Sequence, residues 1–250
     1  MVVWCYHIVM LRRLLNGLKD IIYPQTCLAC KNIFKKQNDE EFICSRCREK
    51  IIMNIPPFCN SCGRQLGKNN GFKNICPKCL KSKLYFDRAF SPCVYDGVIK
   101  ELIHEFKYKG KVYLGKALSG LLIDFIREYD LPTAYLDCVI PVPLHKVRLR
   151  EREFNQAQIL GRYIADEFKL NMIEGTLVRC RNTKTQTEMD SNRRLINVKD
   201  SFVVCRTENV SGKNILLIDD VLTTGATSSE AALALKNSGA NIVFVLTLAN

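Results

Sequence analysis

Apolar residues along the chain change their spacing several times, and the changes separate strands from helices. Residues 215–218 (Ile-Leu-Leu-Ile) and 242–248 (Ile-Val-Phe-Val-Leu-Thr-Leu) are short, nearly continuous apolar runs. Such runs suit parallel strands buried on both faces. Residues 136–140 read as the first core strand, stopped by Pro141 and Pro143, and residues 89–95, 175–181 and 201–205 read as further strands. Helical spacing appears at 99–106, at 114–129, in a stretch reaching about 168, and at 228–237. Strands and helices alternate, so residues 87–250 are expected to form a parallel-sheet α/β domain. Near the start, Leu11, Leu14, Leu15, Leu18, Ile21 and Ile22 form an apolar stripe, expected to be an amphipathic helix packed on the body of the protein. The first ten residues are apolar, but the run is too short to span a bilayer. Arg12 and Arg13 follow it rather than precede it, the wrong order for a signal peptide, and Met10 is an alternative start to Met1. No transmembrane segment is expected.

Residues 21–86 have no such period; cysteines organise them instead. Eight of the chain's 13 cysteines fall in four C-x-x-C pairs: Cys27/Cys30, Cys44/Cys47, Cys59/Cys62 and Cys76/Cys79. The unit C-x2-C-x13-C-x2-C occurs twice. Paired knuckles of this kind read as structural zinc sites, closed by four thiolates with no open coordination position. Equal gaps favour sequential pairing of the first four and the last four; interleaved pairing is the alternative. Redox C-x-x-C chemistry fits poorly, because no strand-helix context surrounds the pairs. A double zinc-ribbon module is therefore expected at 21–86, after an N-terminal segment at 1–20. Cys93, Cys138, Cys180 and Cys205 are read as core fillers of strands. Thiols in this number without a secretion signal place the chain in a reducing cytoplasm.

The strand at 215–218 ends in two adjacent carboxylates, Asp219 and Asp220, and then Thr223-Thr224-Gly225-Ala226-Thr227 leads into a helix. Ligands of open α/β sheets bind at the carboxyl ends of strands. Three hydroxyls, a close-approach glycine and free amides at a helix start suit a phosphate, and two carboxylates suit vicinal hydroxyls. Together they describe a ribose 5-phosphate site. An ordinary strand-turn-helix with a capping threonine is the plain alternative. No G-x-x-x-x-G-K-[ST] occurs, which excludes a nucleoside-triphosphate loop of that kind.

Lys and Arg number 37 against 25 acids, a formal charge of +12. Two four-thiolate zinc sites would lower this to about +8. The balance fits an anionic ligand, nucleic acid, or scattered surface lysines. Two segments concentrate it. Residues 107–113, with Lys107 and Tyr108, read as a cationic-aromatic loop able to grip a diphosphate or stack bases, or as a solvated turn. Arg148, Arg150 and Arg152 alternate close to the end of the 136–140 strand and suit phosphate. Thr185, Gln186, Arg193 and Arg194 lie between two strands, where a flap over an anionic ligand would sit. His145 alone identifies no catalysis, and no catalytic residue is assigned.

The run from Asp219 to Thr227 resembles the signature of type I phosphoribosyltransferases. That resemblance implies that the two aspartates hold the ribose 2′- and 3′-hydroxyls of phosphoribosyl diphosphate, bound with Mg²⁺, while Thr223 to Thr227 wrap its 5′-phosphate. Enzymes of that group acting on 6-oxopurines carry Asp where Thr223 stands, so their general base is missing. The wider set resembles the ComF family. It comprises P-V-P-L-H-x-x-R-L-R-x-R-x-F-N-Q from Pro141 to Gln156, T-Q at Thr185 and Gln186, R-x-x-N from Arg194 to Asn197, the Asp219 run, and the four C-x-x-C pairs. One departure is Glu153, where the family usually has glycine. The resemblance implies a cytoplasmic protein that handles incoming single-stranded DNA during uptake. An active phosphoribosyltransferase with an unidentified acceptor, and a zinc-ribbon scaffold recruiting a DNA translocase, are the alternatives.

Overall fold

The computed structural model describes residues 26–34, 42–67, 74–182 and 198–250. The expected N-terminal helix and Thr185, Gln186, Arg193 and Arg194 lie outside these residues. The chain divides into two compact units, Met1–Ile51 and Ile52–Asn250. The first contains the first four-cysteine repeat and helix α1 (Ser45–Glu49). The second contains the other repeat, with helix α2 (Pro77–Lys81), and the whole sheet.

The two repeats fold alike. The amide of the first cysteine bonds the carbonyl five residues on (Cys27 to Asn32, Cys59 to Arg64, both 2.8 Å). The residue after each first knuckle takes a left-handed conformation: Lys31 at φ 62°, Gly63 at φ 69°. In each, the third cysteine's amide donates to the first cysteine's sulfur, at 3.4 Å for Cys44 and 3.3 Å for Cys76. Each third cysteine then starts a one-turn helix.

The sheet is built from β1 (Arg88–Phe90), β2 (Cys138–Pro141), β3 (Asn171–Met172), β6 (Asn214–Ile218) and β7 (Ile242–Leu246), all parallel, in the order β1-β7-β6-β2-β3. Helices α3 (Gly97–Tyr108) and α4 (Leu114–Glu128) follow β1; α5 (Lys146–Arg152) and α6 (Gln156–Phe168) link β2 to β3; α7 (Ala226–Asn237) links β6 to β7. Alternation within the buried strands assigns the two faces. Ile215, Leu217, Val243 and Val245 join one apolar cluster with Ala231, Ala232 and Leu235 of α7. The same cluster takes in Cys59, Cys62, Leu66, Cys76 and Phe86, so the second ribbon packs on this face. Strand β2 has β3 on one side and β6 on the other. The winding therefore reverses between β2 and β6, and a crevice opens at their carboxyl ends. Register brings those ends level, with Pro141 beside Ile218.

Several elements differ from the sequence reading. Residues 177–179 (β4) and 202–204 (β5) pair antiparallel as a separate two-stranded ribbon rather than joining the sheet. At this periphery Cys180 and Cys205 are exposed, whereas Cys93 and Cys138 are buried. Lys107 and Tyr108 are the last turn of α3, not a loop. The stretch before residue 168 is two helices, broken at Glu153, which sits at φ 64°. That left-handed geometry explains why glycine suits the position. Glu153→Gly is expected to exceed Glu153→Ala in stability by about 1 kcal/mol, the penalty of a Cβ in that region. Urea denaturation of both variants measures it.

Candidate functional site

The eight paired cysteines form two groups, Cys27/Cys30/Cys44/Cys47 and Cys59/Cys62/Cys76/Cys79, with the sulfurs of each group all within 4.8 Å of one another. The pairing is sequential. Cys30 and Cys44 Sγ are 3.9 Å apart, and Cys62 and Cys76 Sγ 3.7 Å. A tetrahedral site with Zn–S bonds of about 2.3 Å has edges of about 3.8 Å, so the sulfurs fit zinc and are far too distant for disulfides. Burial and the neighbouring thiols push Cys47 up to about 12, and Cys62 is raised by Cys79 and by burial. Zinc ligation must therefore displace protons, and acid must favour metal loss.

At the crevice, β6 delivers Asp219 and Asp220 side by side. Asp219 is fixed by two hydrogen bonds. Its Oδ1 accepts from the Asp220 amide (2.8 Å), and its Oδ2 accepts from the Ser228 hydroxyl in the first turn of α7 (2.9 Å). Burial, then the adjacent Asp220 charge, raise its carboxyl to about 6 despite those donors and Lys107. Asp220 is held by Lys107 Nζ at 2.7 Å. Burial disfavours the Lys107 charge, but the two aspartates outweigh it and the ammonium is raised above its usual range. Gly225, at φ 78°, turns the chain into α7, and Thr224 Oγ1 accepts from the Ala226 amide at 3.3 Å.

Asp219, Asp220 and Lys107 line a cleft of about 340 Å³ together with Thr223, Thr227, Arg148, Arg152, Arg179 and Asn155, while Thr224, Gly225 and Ala226 lie outside its lining. Helix α5 decides which arginines arrive. Residues four apart share a helix face, so Arg148 and Arg152 point into the cleft, while Arg150 is exposed and outside its lining. Burial and Arg152 lower Arg148; burial and Arg148 lower Arg179 to about 10, against the pull of Asp219. Crowded cations of this kind favour an anion between them. Arg152 lies 4.9 Å over the Tyr108 ring and donates to its hydroxyl at 3.2 Å. This stack faces a neighbouring recess of about 190 Å³ that also touches Lys107 and Arg148. His145 caps α5 through Nδ1, a structural role.

The sequence reading missed Arg179, Asn155 and the Lys107–Asp220 ion pair. Arg179 had a signal, an arginine within an otherwise apolar strand. Asn155 donates to the Val142 carbonyl at 3.0 Å and caps α6, which ties the β2 end to the cleft wall. The ion pair joins residues 113 positions apart and leaves no local trace.

Residues 18–80 match the model of the double zinc ribbon domain. "DNA utilization protein YhgH" of Salmonella typhi is 30% identical over 211 residues, covering 82% of this chain and 89% of that protein. The chain belongs to the ComF family. "Competence protein F" of Haemophilus influenzae is 28% identical over 231 residues, 89% of this chain and 96% of that one. "Competence protein ComFC" of Bacillus subtilis is 27% identical over 236 residues, 87% and 91%. Among solved structures, the glutamine phosphoribosylpyrophosphate amidotransferase of B. subtilis overlaps 58% of this chain and 30% of its own, at 18% identity and TM-score 0.36. The ComF chain joins a double zinc ribbon to a five-stranded parallel α/β sheet. No helix among the described residues is long and apolar enough to cross a membrane.

Two zinc ions per chain are expected from elemental analysis of protein purified without added metal. A chromogenic chelator should release them in two phases. The cluster with exposed Cys30 should empty before the one whose Cys59, Cys62 and Cys76 are buried, and both phases should quicken as pH falls. A single phase would contradict this order.

Asp219 supplies a second test. Its folded pKa of about 6 lies above the ordinary 3.8, so the native state holds the proton more tightly than the unfolded chain. Stability from this group is present below about pH 4 and is lost as pH rises through 6. Asp219→Asn should therefore stabilise the ligand-free protein at pH 7 and have a smaller effect at pH 4.5, measured by chemical denaturation at both values.

Proposed function

We propose that the cleft binds phosphoribosyl diphosphate and that the protein couples this ligand to the handling of single-stranded DNA during uptake. One observation carries the ligand reading: two strand-end carboxylates, a threonine-rich turn at a helix start, and several cations converge on one cleft. The turn and the N-terminus of α7 supply amides and a positive dipole end for the 5′-phosphate. Asp219 and Asp220 accept from the ribose hydroxyls. Arg148, Arg152 and Arg179 face the 1-diphosphate.

Lys107 must change partner. In the free cleft it occupies the Asp220 carboxylate that the ribose hydroxyls need. The diphosphate offers it a second anion, so a ligand with both groups releases Asp220 at low cost. Mg²⁺ would be held by ligand oxygens and the two aspartates, where it neutralises diphosphate charge. Among the described residues no third carboxylate joins them, as suits an ion that arrives with phosphates. Thr223 has no titratable group near neutrality to serve a nucleobase nitrogen, and binding rather than transfer is the reading adopted.

The DNA reading is supported by the names of the relatives, by the net charge of +12, and by exposed Tyr108 stacked with Arg152 beside the cleft. A base stacked on Tyr108 would contribute about 1–3 kcal/mol.

Calorimetry tests the ligand. Asp219→Asn/Asp220→Asn should lose roughly 2–4 kcal/mol of affinity, from charged hydrogen bonds. Lys107→Met should weaken phosphoribosyl diphosphate yet leave ribose 5-phosphate equal or tighter. Unchanged affinity in the double variant would sink the assignment. For DNA, filter binding of single strands over a salt series should give a log–log slope of about −0.7 per neutralised phosphate. Tyr108→Ala/Arg152→Ala should bind more weakly at every salt. Diphosphate released on adding a nucleobase would establish a transferase instead.

A further inference from the structure

The ribbons are not equivalent in this fold. The second is built into the unit that contains the sheet, and its contacts converge on the turn that follows Asp220. Its knuckle backbone lies directly on β1: the Ala89 amide donates to the Ser61 carbonyl at 2.7 Å. Gly63 is so close that a Cβ there would meet the Ala89 oxygen at 2.3 Å. Asn250 of the chain end donates to the Cys62 carbonyl at 3.2 Å.

From this seated knuckle, Arg64 extends to the Thr223 carbonyl at 3.4 Å. Just past the fourth cysteine, Leu84 closes on Gly225, where an added Cβ would lie 3.2 Å from the leucine methyl. The Tyr85 amide donates to the Ser229 hydroxyl at 3.0 Å, fixing the first turn of α7. Cys59, Cys62 and Cys76 share one apolar cluster with Leu222 and Ala231, which flank the turn on both sides.

We propose that the second four-cysteine ribbon is the support on which the 223–227 turn is shaped, with Arg64 and Leu84 as positioning residues, so that zinc at this ribbon governs affinity for the phosphorylated ligand. The inference rests on reading Thr223 to Thr227 as the phosphate-binding turn. The physical reason is preorganisation. A ribbon of this size has little core of its own, and metal binding supplies its folding energy. Without the metal, Arg64 and Leu84 lose their fixed origin. The turn amides then spread over conformations that the phosphate must reorder, and a site loosened by about 1 Å binds poorly. A glycine turn at φ 78° has no side chain to hold itself in place.

Hydrogen exchange of the 223–227 amides, measured without ligand, tests the support directly. Titration with phosphoribosyl diphosphate tests its consequence. Arg64→Ala and Leu84→Ala should retain two zinc ions, exchange the turn amides several-fold faster, and bind roughly tenfold more weakly, the low end for loss of outer-shell support. Cys79→Ser, lacking the second zinc, should show both effects more strongly. Leu118→Ala, in the buried face of α4, serves as a control. It should lower the melting temperature without selective exchange at the turn. Unchanged turn exchange in Arg64→Ala, Leu84→Ala and Cys79→Ser overturns the proposal, as does equal acceleration in Leu118→Ala. Selective acceleration in a protein that binds no phosphoribosyl diphosphate upholds the support and overturns only the ligand reading.

Discussion

Two adjacent carboxylates at the end of a buried strand repel each other, and their solvation is poor. The structure around Asp219 and Asp220 answers that constraint group by group. A backbone amide and the Ser228 hydroxyl take Asp219, and Lys107, from the far end of α3, takes Asp220. Even so, Asp219 stays well above the ordinary carboxylate range. Under the proposed reading, these fixed acceptors receive the ligand's ribose hydroxyls. The same crowding operates with opposite sign across the cleft, where burial and Arg152 lower Arg148, and burial and Arg148 lower Arg179. The proposed ligand, with hydroxyls at one end and phosphates at the other, would relieve both.

Everything else positions these charges. The winding reversal between β2 and β6 opens the crevice, and the level register of Pro141 and Ile218 puts the α5 arginines opposite the aspartates. Asn155 locks that wall by bonding the Val142 carbonyl. Beside the turn, the second ribbon packs against the sheet. Its thiols belong to the sheet's own cluster. Duplication of the ribbon thus yields two copies alike in local geometry and different in setting.

The sequence by itself determined the parts whose physics is local. Knuckle spacing fixed four-thiol sites, because two C-x-x-C turns each aim two sulfurs at one point. The 215–218 run ending in Asp219 and Asp220 fixed a buried strand with carboxylates at its edge, and Gly225 fixed the turn into α7. Tertiary structure decided what depends on partners distant in the chain. It sent β4 and β5 out of the sheet, which left Cys180 and Cys205 exposed. It carried α3 through Lys107 and Tyr108 and paired Lys107 with Asp220. It selected Arg148 and Arg152 over Arg150, since an alternating string of arginines has no preferred face until α5 winds it. It also placed one ribbon, and not its twin, within the sheet's own unit. Cysteine spacing is the same in both repeats, and only the packing of the second on β1 shows why it has Gly63 where the first has Lys31.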